Sequence, residues 1–268
     1  MIWEELTGPE FAAAVETCGR VCVLPIGVIE KHGDHLPLGQ DTINIRAVAL
    51  EAAKLEPMMV FPFYYFGQNT HAKCEPGAIA IRFDLLLQLL ESVCDEICRN
   101  GFDKIVIFNG HGGNINMLNY FCEKLLDAEK PYSVYTLFDT SAHHKAGYLE
   151  AGYDGHGGEC ETSLMSVIRP DLVKSMVAAE YGKSLEREAA FRKLNAHTPS
   201  WWYAKHPRML AADTTPATRE KGKLAFRDEA EGLAELVRLV KRDDTPGRLY
   251  REFHARSRRP LEPYPGDN

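Results

Sequence analysis

Apolar residues alternate along the chain between two spacings. Short apolar runs typical of buried strands lie at residues 21–26, 58–61, 104–108 and 133–137. Segments with apolar residues at helical spacing lie between and after them, at residues 42–55, 83–100 and 115–129. This alternation predicts an α/β fold with a mainly parallel sheet and helices on both of its faces.

The pattern changes after Pro170. Residues 178–191 and 219–241 again favour helices, whereas residues 195–218 are rich in Trp, His, Pro and Thr. Long segments without regular structure are often lids or binding loops, so we expect residues 195–218 to cover a functional site. The length and the lack of an internal repeat predict one domain over residues 1–268.

Composition narrows the class of protein. The net charge of −7 argues against a nucleic-acid partner, because such proteins usually present a basic patch. The one basic cluster, Arg256, Arg258 and Arg259, is interpreted as a solvated tail. No run approaches the ~18 apolar residues of a membrane span, and the N-terminus is acidic where a signal peptide is basic. We therefore expect a cytoplasmic protein with no membrane partner.

The chain has seven cysteines, an odd number scattered through apolar segments. Their spacing fits neither a disulfide framework nor a redox motif. We expect reduced thiols, most of them small core residues.

Ionisable residues follow the first predicted strand closely. Glu30 and His32 are two residues apart, so in an extended chain they face the same side. Asp41 follows a loop that contains Gly and Pro, at the start of the next helix. The alternative is a polar loop with surface histidines and Asp41 as a helix N-cap. Four carboxylate or imidazole groups within residues 30–35, after a buried strand, favour a site at the carboxyl end of the sheet.

A second group, Asn109-Gly110-His111-Gly112-Gly113-Asn114, follows the strand at residues 104–108 and precedes a helix. Its glycines allow close backbone approach around His111. A phosphate-binding loop is the alternative. The segment lacks the Gly-Lys-Ser/Thr ending of such loops, which favours a metal-binding or catalytic histidine.

A third group surrounds His156, with Asp154, Glu159 and Glu161 beside several glycines. One glutamate near a helix start is explained by the helix dipole alone. Two glutamates and a histidine are not. Because Glu, Asp and His ligands without cysteine suit Zn²⁺, Mn²⁺ or Fe²⁺, we expect two divalent ions per subunit, with zinc favoured. Asp41 is the natural shared ligand for two ions ~3.5–4 Å apart that activate one water.

These motifs resemble, in order, the signatures of the creatininase (creatinine amidohydrolase) family. They span roughly residues 20–165 and read Leu24-Pro25-Ile26-Gly27, Glu30-x-His32-Gly33-x-His35-Leu36-Pro37, Asp41, Pro76-Gly77, Asn109-Gly110-His111-Gly112-Gly113-Asn114 and His156-Gly157-Gly158-Glu159-x-Glu161-Thr162-Ser163. The resemblance implies a three-layer α/β/α sandwich, a homohexamer and a binuclear metal site that acts on a small molecule.

The resemblance also implies roles for residues. One metal takes Glu30, Asp41 and His111, and the second takes His32 and the shared Asp41. The remaining ligand in creatininase is a glutamate at the position of Gly113, and relatives with glycine there use the glutamate that matches Glu161. Catalytic roles fall to His156, as a proton shuttle, and more weakly to Glu159. Candidates for substrate binding are Gly77, Ala78, Gly112, Asp154, Trp201 and Trp202.

Two departures separate the chain from creatininase itself. Gly113 replaces a ligand, and the loop Pro76-Gly77-Ala78-Ile79-Ala80 lacks the expected hydroxyl. Both indicate a different substrate. Trp201 and Trp202 suit a sugar-like stacking wall or, equally, core or interface packing. We expect hydrolysis of a cyclic amide or related C–N bond. The alternatives are a C–C hydrolase of a cyclic polyol diketone (3-dehydro-scyllo-inosose type) and a non-catalytic metal-bound assembly protein.

Overall fold

A computed structural model describes residues 1–138, 147–178 and 182–263. Its sheet is fully parallel, with the strand order β2-β1-β3-β4. The strands are β1 (Val21–Ile26), β2 (Met59–Val60), β3 (Lys104–Asn109) and β4 (Ser133–Phe138). Ile26 lies opposite Asn109, and Asn109 lies opposite Phe138. The carboxyl ends of β1, β3 and β4 are therefore level at one edge of the sheet.

The helices in the described residues connect and cover these strands. They are α1 (Gly8–Thr17), α2 (Gln40–Leu55), α3 (Phe83–Arg99), α4 (Asn114–Lys124), α5 (Glu159–Ile168), α6 (Ala189–Lys193), α7 (Trp201–Lys205), α8 (Arg219–Arg242) and α9 (Thr245–Ser257). Short 3₁₀ turns occur at Trp3–Glu5, Thr70–Cys74 and Pro170–Leu172.

Alternating side chains of the strands enter two separate cores. Cys22, Leu24 and Ile26 of β1 pack with α1, α3 and α4 on one face of the sheet. Val21 and Val23 pack with α2 and α8 on the other face. Because successive residues of a strand point to opposite faces, a sheet buried on both sides reads as a continuous apolar run. The predicted three-layer α/β/α sandwich is confirmed.

The predicted strands and the helices up to residue 100 are confirmed, with bounds that shift by a few residues. The predicted helix 115–129 ends earlier, at Lys124. The predicted helix 178–191 is wrong for residues 182–188, whereas residues 189–191 lie in the short helix α6, and residues 179–181 lie outside the described residues. Glu186 adopts a positive φ of 54°, and the backbone N–H of Leu185 donates to the carbonyl of Lys205 instead of continuing a helix.

The C-terminal region also differs from the prediction. Residues 195–218 contain α7, and the basic cluster interpreted as a solvated tail begins inside α9. Tyr250 of α9 donates its hydroxyl hydrogen bond to the carbonyl of Leu125, which ties this helix to the end of α4. All seven cysteines are free thiols, and Cys18, Cys22, Cys94 and Cys160 are buried. No helix within the described ranges is long and apolar enough to cross a membrane.

Two close backbone contacts place the elements that carry ionisable residues. A Cβ atom at Gly27, just past β1, would lie 2.5 Å from the backbone nitrogen of Thr42 in α2. A Cβ atom at Gly222 of α8 would lie 2.0 Å from the carbonyl oxygen of Ser163 in α5. Glycine at these two positions therefore lets α2 approach β1 and α8 approach α5.

Replacing Gly27 with Ala should destabilise the protein, because the added methyl group meets backbone atoms that cannot move alone. We expect a loss of about 1–3 kcal/mol or more in the free energy of unfolding, measured by urea denaturation. Gly8→Ala is the matched control, since no atom lies within 4 Å of its Cβ position. Equal stability of the two variants would contradict the close contact at Gly27.

Candidate metal centre

Acidic and imidazole side chains meet at the carboxyl edge of the sheet. Glu30 and His32 come from the loop after β1, Asp41 from the first turn of α2, and His111 from the turn after β3. The backbone N–H of Glu30 donates to the carbonyl of Leu38 at 2.9 Å, which closes the loop between β1 and α2. The level ends of β1 and β3 bring these segments together.

His111 lies between two carboxylates. Its Nδ1 is 3.0 Å from Glu30 Oε1 and 3.0 Å from Asp41 Oδ2. Its Nε2 is 3.0 Å from the carbonyl oxygen of Gln68. A carbonyl only accepts hydrogen bonds, so the ring proton belongs on Nε2 and the lone pair of a neutral ring points at the carboxylates.

His32 repeats this arrangement. Its Nδ1 is 3.2 Å from the carbonyl oxygen of Glu30, and its Nε2 is 2.8 Å from Asp41 Oδ1 and 3.7 Å from Glu161 Oε2. Asp41 therefore turns one oxygen toward His111 and the other toward His32. Glu161 lies in the first turn of α5, where its Oε2 also accepts a hydrogen bond from the backbone N–H of Gly157 at 2.7 Å.

The donors present fit divalent metal ions. Both carboxylate oxygens of Glu30 and Oδ2 of Asp41 are buried, and ring nitrogens lie 3.0–3.4 Å from them. Donor atoms of His32, Asp41 and Glu161 lie within 4.8 Å of one another. Buried carboxylate oxygens facing imidazole lone pairs need a cation between them, and oxygen and nitrogen donors suit Zn²⁺, Mn²⁺ or Fe²⁺.

The pKa values of His32 and His111 in the metal-free protein also indicate a cation site. Burial alone would lower the pKa values of these two imidazoles, but the neighbouring carboxylates reverse this effect. Asp41, with Glu161 and Glu30, raises the pKa of His32 to about 9. Glu30 and Asp41 raise the pKa of His111 well above its usual value. In the absence of metal, each imidazole therefore holds a proton where a cation would otherwise lie.

His156 lies against this cluster. Its ring stacks on His32 with centroids 4.1 Å apart, its Nε2 is 2.7 Å from the carbonyl oxygen of Lys31, and its Nδ1 is 3.6 Å from Glu30 Oε1. Burial, assisted by the charge of His32, lowers the pKa of His156 to about 4. This imidazole is therefore neutral at pH 7, with its Nδ1 lone pair toward the cluster.

Glu159 does not join the cluster, although it is fully buried. Its carboxylate pairs with Lys221 Nζ at 2.5 Å and accepts hydrogen bonds from the backbone N–H groups of Glu150 and Ala151. The structure thus holds Glu159 in a contact between α5 and α8. This placement gives no support to the hypothesis that Glu159 is catalytic.

The candidate substrate-binding residues fall into separate places. Asp154, Asp41 and Glu161 line a cavity of about 340 Å³. Gly77 and Ala78 lie in a loop that packs on the segment after β1, because the N–H of Ile79 donates to the carbonyl of Ile29 at 3.0 Å. A Cβ atom at Gly112 would meet nothing within 4 Å.

The two tryptophans differ in their distance from the cluster. The ring centroid of Trp202 is 5.6 Å from His156 and 5.4 Å from His71, so its indole covers the cluster. Trp201 contacts Trp202 and His197 instead, and is 36% exposed. Trp202 belongs to residues 195–218, and the covering role expected of that segment stays a prediction.

Sequence reasoning missed His71 and Gln68. His71 Nε2 lies 3.4 Å from Glu30 Oε2. A Cβ atom at Gly113 would lie 2.8 Å from Gln68 Oε1, so Gln68 fills the space beside Gly113. His71 lies in a 3₁₀ turn away from any strand end, and the available signal was its position shortly before Pro76-Gly77.

Comparison with known proteins finds one matching family model and several relatives. Residues 4–237 match the creatininase family model, described as creatinine amidohydrolase. The chain is 28% identical to creatinine amidohydrolase of Pseudomonas putida, over 87% of this chain and 95% of that protein. It is 29% identical to the mycofactocin precursor peptide peptidase of Mycobacterium ulcerans (84% and 86% covered) and 22% identical to 3-dehydro-scyllo-inosose hydrolase of Thermotoga maritima (92% and 86% covered).

Solved structures agree in fold. A Bacteroides fragilis protein assigned as a creatinine amidohydrolase matches with a TM-score of 0.75 and 29% identity, over 84% of this chain and 91% of that one. A creatininase variant in a Zn-Zn form matches with a TM-score of 0.74 and 25% identity, over 90% and 98%. A manganese form of creatininase matches with a TM-score of 0.72 and 26% identity, over 90% and 99%.

Metal binding at pH 7 should release protons, because His32 and His111 hold them in the metal-free protein. We expect two to three protons released per subunit, because burial also raises the pKa of Glu161 to about 7. Metal affinity should rise with pH up to about 9, by roughly tenfold per pH unit for each proton. Calorimetric titration with Zn²⁺ in buffers of different ionisation enthalpy counts these protons. Affinity that does not change between pH 6 and 8 would contradict the raised pKa values.

Proposed function

The chain belongs to the creatininase family, whose members are metal-dependent hydrolases. From this premise we propose that the protein uses two divalent metal ions to cleave a C–N bond in a small cyclic amide or related compound. The supporting observation is the orientation of three imidazoles. His32, His111 and His156 each turn one ring nitrogen to a backbone carbonyl and the other toward a carboxylate of the cluster.

Two donor groups that share one carboxylate support the assignment of ligands. We assign Glu30, Asp41 and His111 to the first ion, and His32, Asp41 and Glu161 to the second. Ions bound there would polarise a substrate carbonyl and lower the pKa of a bound water. Zinc is the first candidate, with manganese and iron as alternatives.

The chain's own residues have distinct tasks in this proposal. Nε2–H of His156 donates to the carbonyl of Lys31, which fixes the ring and leaves Nδ1 free to accept and return a proton. Burial lowers the pKa of His156, so the ring is neutral before reaction and takes up a proton only transiently, on its way to the leaving group. Trp202 covers the histidines and excludes water.

The volume and lining of the cavity limit the size and polarity of the substrate. Its volume of about 340 Å³ is near the lower end for ligand pockets, which favours a small ring over a peptide. Its wall combines carboxylates and amides with the side chains of Phe108, Phe138 and Leu164. The same polar wall suits a cyclic polyol ketone, so C–C hydrolysis, as named for the Thermotoga maritima relative, is the second candidate. A non-catalytic role is disfavoured, because assembly alone requires no cavity beside Asp41 and Glu161.

Substrate profiling tests the proposed reaction. Protein reconstituted with Zn²⁺ or Mn²⁺ is assayed against lactams, cyclic ureides, formamides, inosose-type ketones and short peptide amides. Turnover confined to the cyclic amides supports the proposal, and turnover confined to ketones or peptides contradicts it. A symmetric homohexamer and a cytoplasmic location stay predictions.

The proposed binuclear centre predicts metal stoichiometry. Elemental analysis of protein purified without chelator should find about two divalent ions per subunit. Removing the ions with a chelator should abolish turnover, and adding Zn²⁺ or Mn²⁺ should restore it. Protein that neither contains metal nor responds to it would refute the centre.

Glu161 and Glu159 should respond differently to the same substitution. Glu161→Gln keeps the volume but removes the anionic donor, so the second ion should be lost and turnover should fall by several orders of magnitude. Glu159→Gln is the matched control. It should retain both ions but lose about 1–3 kcal/mol of stability, because Lys221 loses its buried partner.

Metal content after dialysis and thermal unfolding of both variants separate the two roles. If Glu161→Gln keeps two tightly bound ions while Glu159→Gln loses one, the ligand assignment is wrong.

A further inference from the structure

His71 lies beside the candidate metal centre. Its imidazole is 14% exposed and runs nearly parallel to that of His111, with centroids 5.8 Å apart and 9° between the planes. Trp202 covers it edge-on at 5.4 Å. His71 is therefore enclosed between a proposed metal ligand and the aromatic cover.

The Nε2 atom of His71 lies beside a buried carboxylate oxygen. It is 3.4 Å from Glu30 Oε2, and Glu30 is fully buried. Donor atoms of Glu30, His71 and His111 lie within 4.8 Å of one another. Ligands about 2.1 Å from one zinc ion lie about 3.4 Å apart at tetrahedral positions, so this spacing suits two ligands of one ion.

The backbone before His71 is tied to both strand ends of the site. The N–H of Gln68 donates to Asn114 Oδ1 at 2.7 Å, and its carbonyl accepts from His111 Nε2. The side chain of Asn69 donates from Nδ2 to the carbonyl of Ile29 at 2.8 Å. These bonds connect the 3₁₀ turn that carries His71 to the segments that carry Glu30 and His111. Metal ligands are usually supported by such neighbouring hydrogen bonds.

We propose that His71 is a ligand of the first metal ion, together with Glu30, Asp41 and His111. The inference rests on the proposed function, since it adds a donor to that same centre. The proposal also gives the two ions different roles. His71 takes a position at the first ion that water would otherwise fill. Glu161, a donor to the second ion alone, lines the cavity, so the substrate would meet the second ion.

Substitution of Co²⁺ tests the ligand directly, without using activity. Each histidine bound to Co²⁺ gives one strongly shifted N–H signal in the proton NMR spectrum. His71→Ala should lose one such signal, weaken one of two Co²⁺ sites by more than 100-fold, and regain its visible absorption spectrum with free imidazole. His197→Ala is the control, because this exposed histidine contacts Trp201 and lies outside the centre.

The opposite outcomes overturn the inference. If His71→Ala keeps every shifted signal and weakens Co²⁺ binding by less than about 100-fold, His71 supports Glu30 from outside the ligand set. Identical proton NMR spectra for His71→Ala and His197→Ala would also show that His71 does not bind the metal. Wild-type protein that binds no Co²⁺ would refute the proposed function itself, which separates the two failures.

Discussion

The site depends on imidazoles held between a backbone carbonyl and a carboxylate. The carbonyls of Glu30, Lys31 and Gln68 fix which ring nitrogen of His32, His156 and His111 carries the proton. The opposite nitrogen then faces negative charge at close range. At His32 and His111 a neutral ring would be repelled by this charge, so a proton or a metal cation stabilises the arrangement there.

Small residues make this arrangement possible. Gly27 lets the backbone of α2 approach the end of β1, which brings Asp41 between His32 and His111. Gly113 leaves space for Gln68, whose carbonyl orients His111. Gln68 therefore occupies the space that a side chain at residue 113 would need. The segment that fills the space is the one that delivers His71.

Much of this organisation could be predicted from the sequence, since buried parallel strands read as apolar runs and ionisable groups that follow them must meet at one edge. The different roles of Glu159 and Glu161 could not be predicted from the sequence. Both lie in the first turn of α5, and only the position of Lys221 on a distant helix decides which one turns away. His71 was missed for a similar reason, because tertiary hydrogen bonds and not strand periodicity place it. Residues 182–188 of the predicted helix 178–191 are not helical, because pairing of Leu185 with Lys205 outweighs local helix preference.

The strand order sets when the centre can form during folding. Val21 pairs with Lys104, so the chain must close a long loop before β1 and β3 align. Glu30 and His111 are far apart until that alignment exists. Each proposed ligand set joins residues 30–41 to a distant residue, His111 or Glu161, so neither set is complete before the chain has folded. In zinc fingers, by contrast, all ligands lie close in sequence and the metal drives folding. Ions at this centre would bind a finished scaffold and stabilise it by mass action, so metal-free protein should reach the native topology before it acquires its ions.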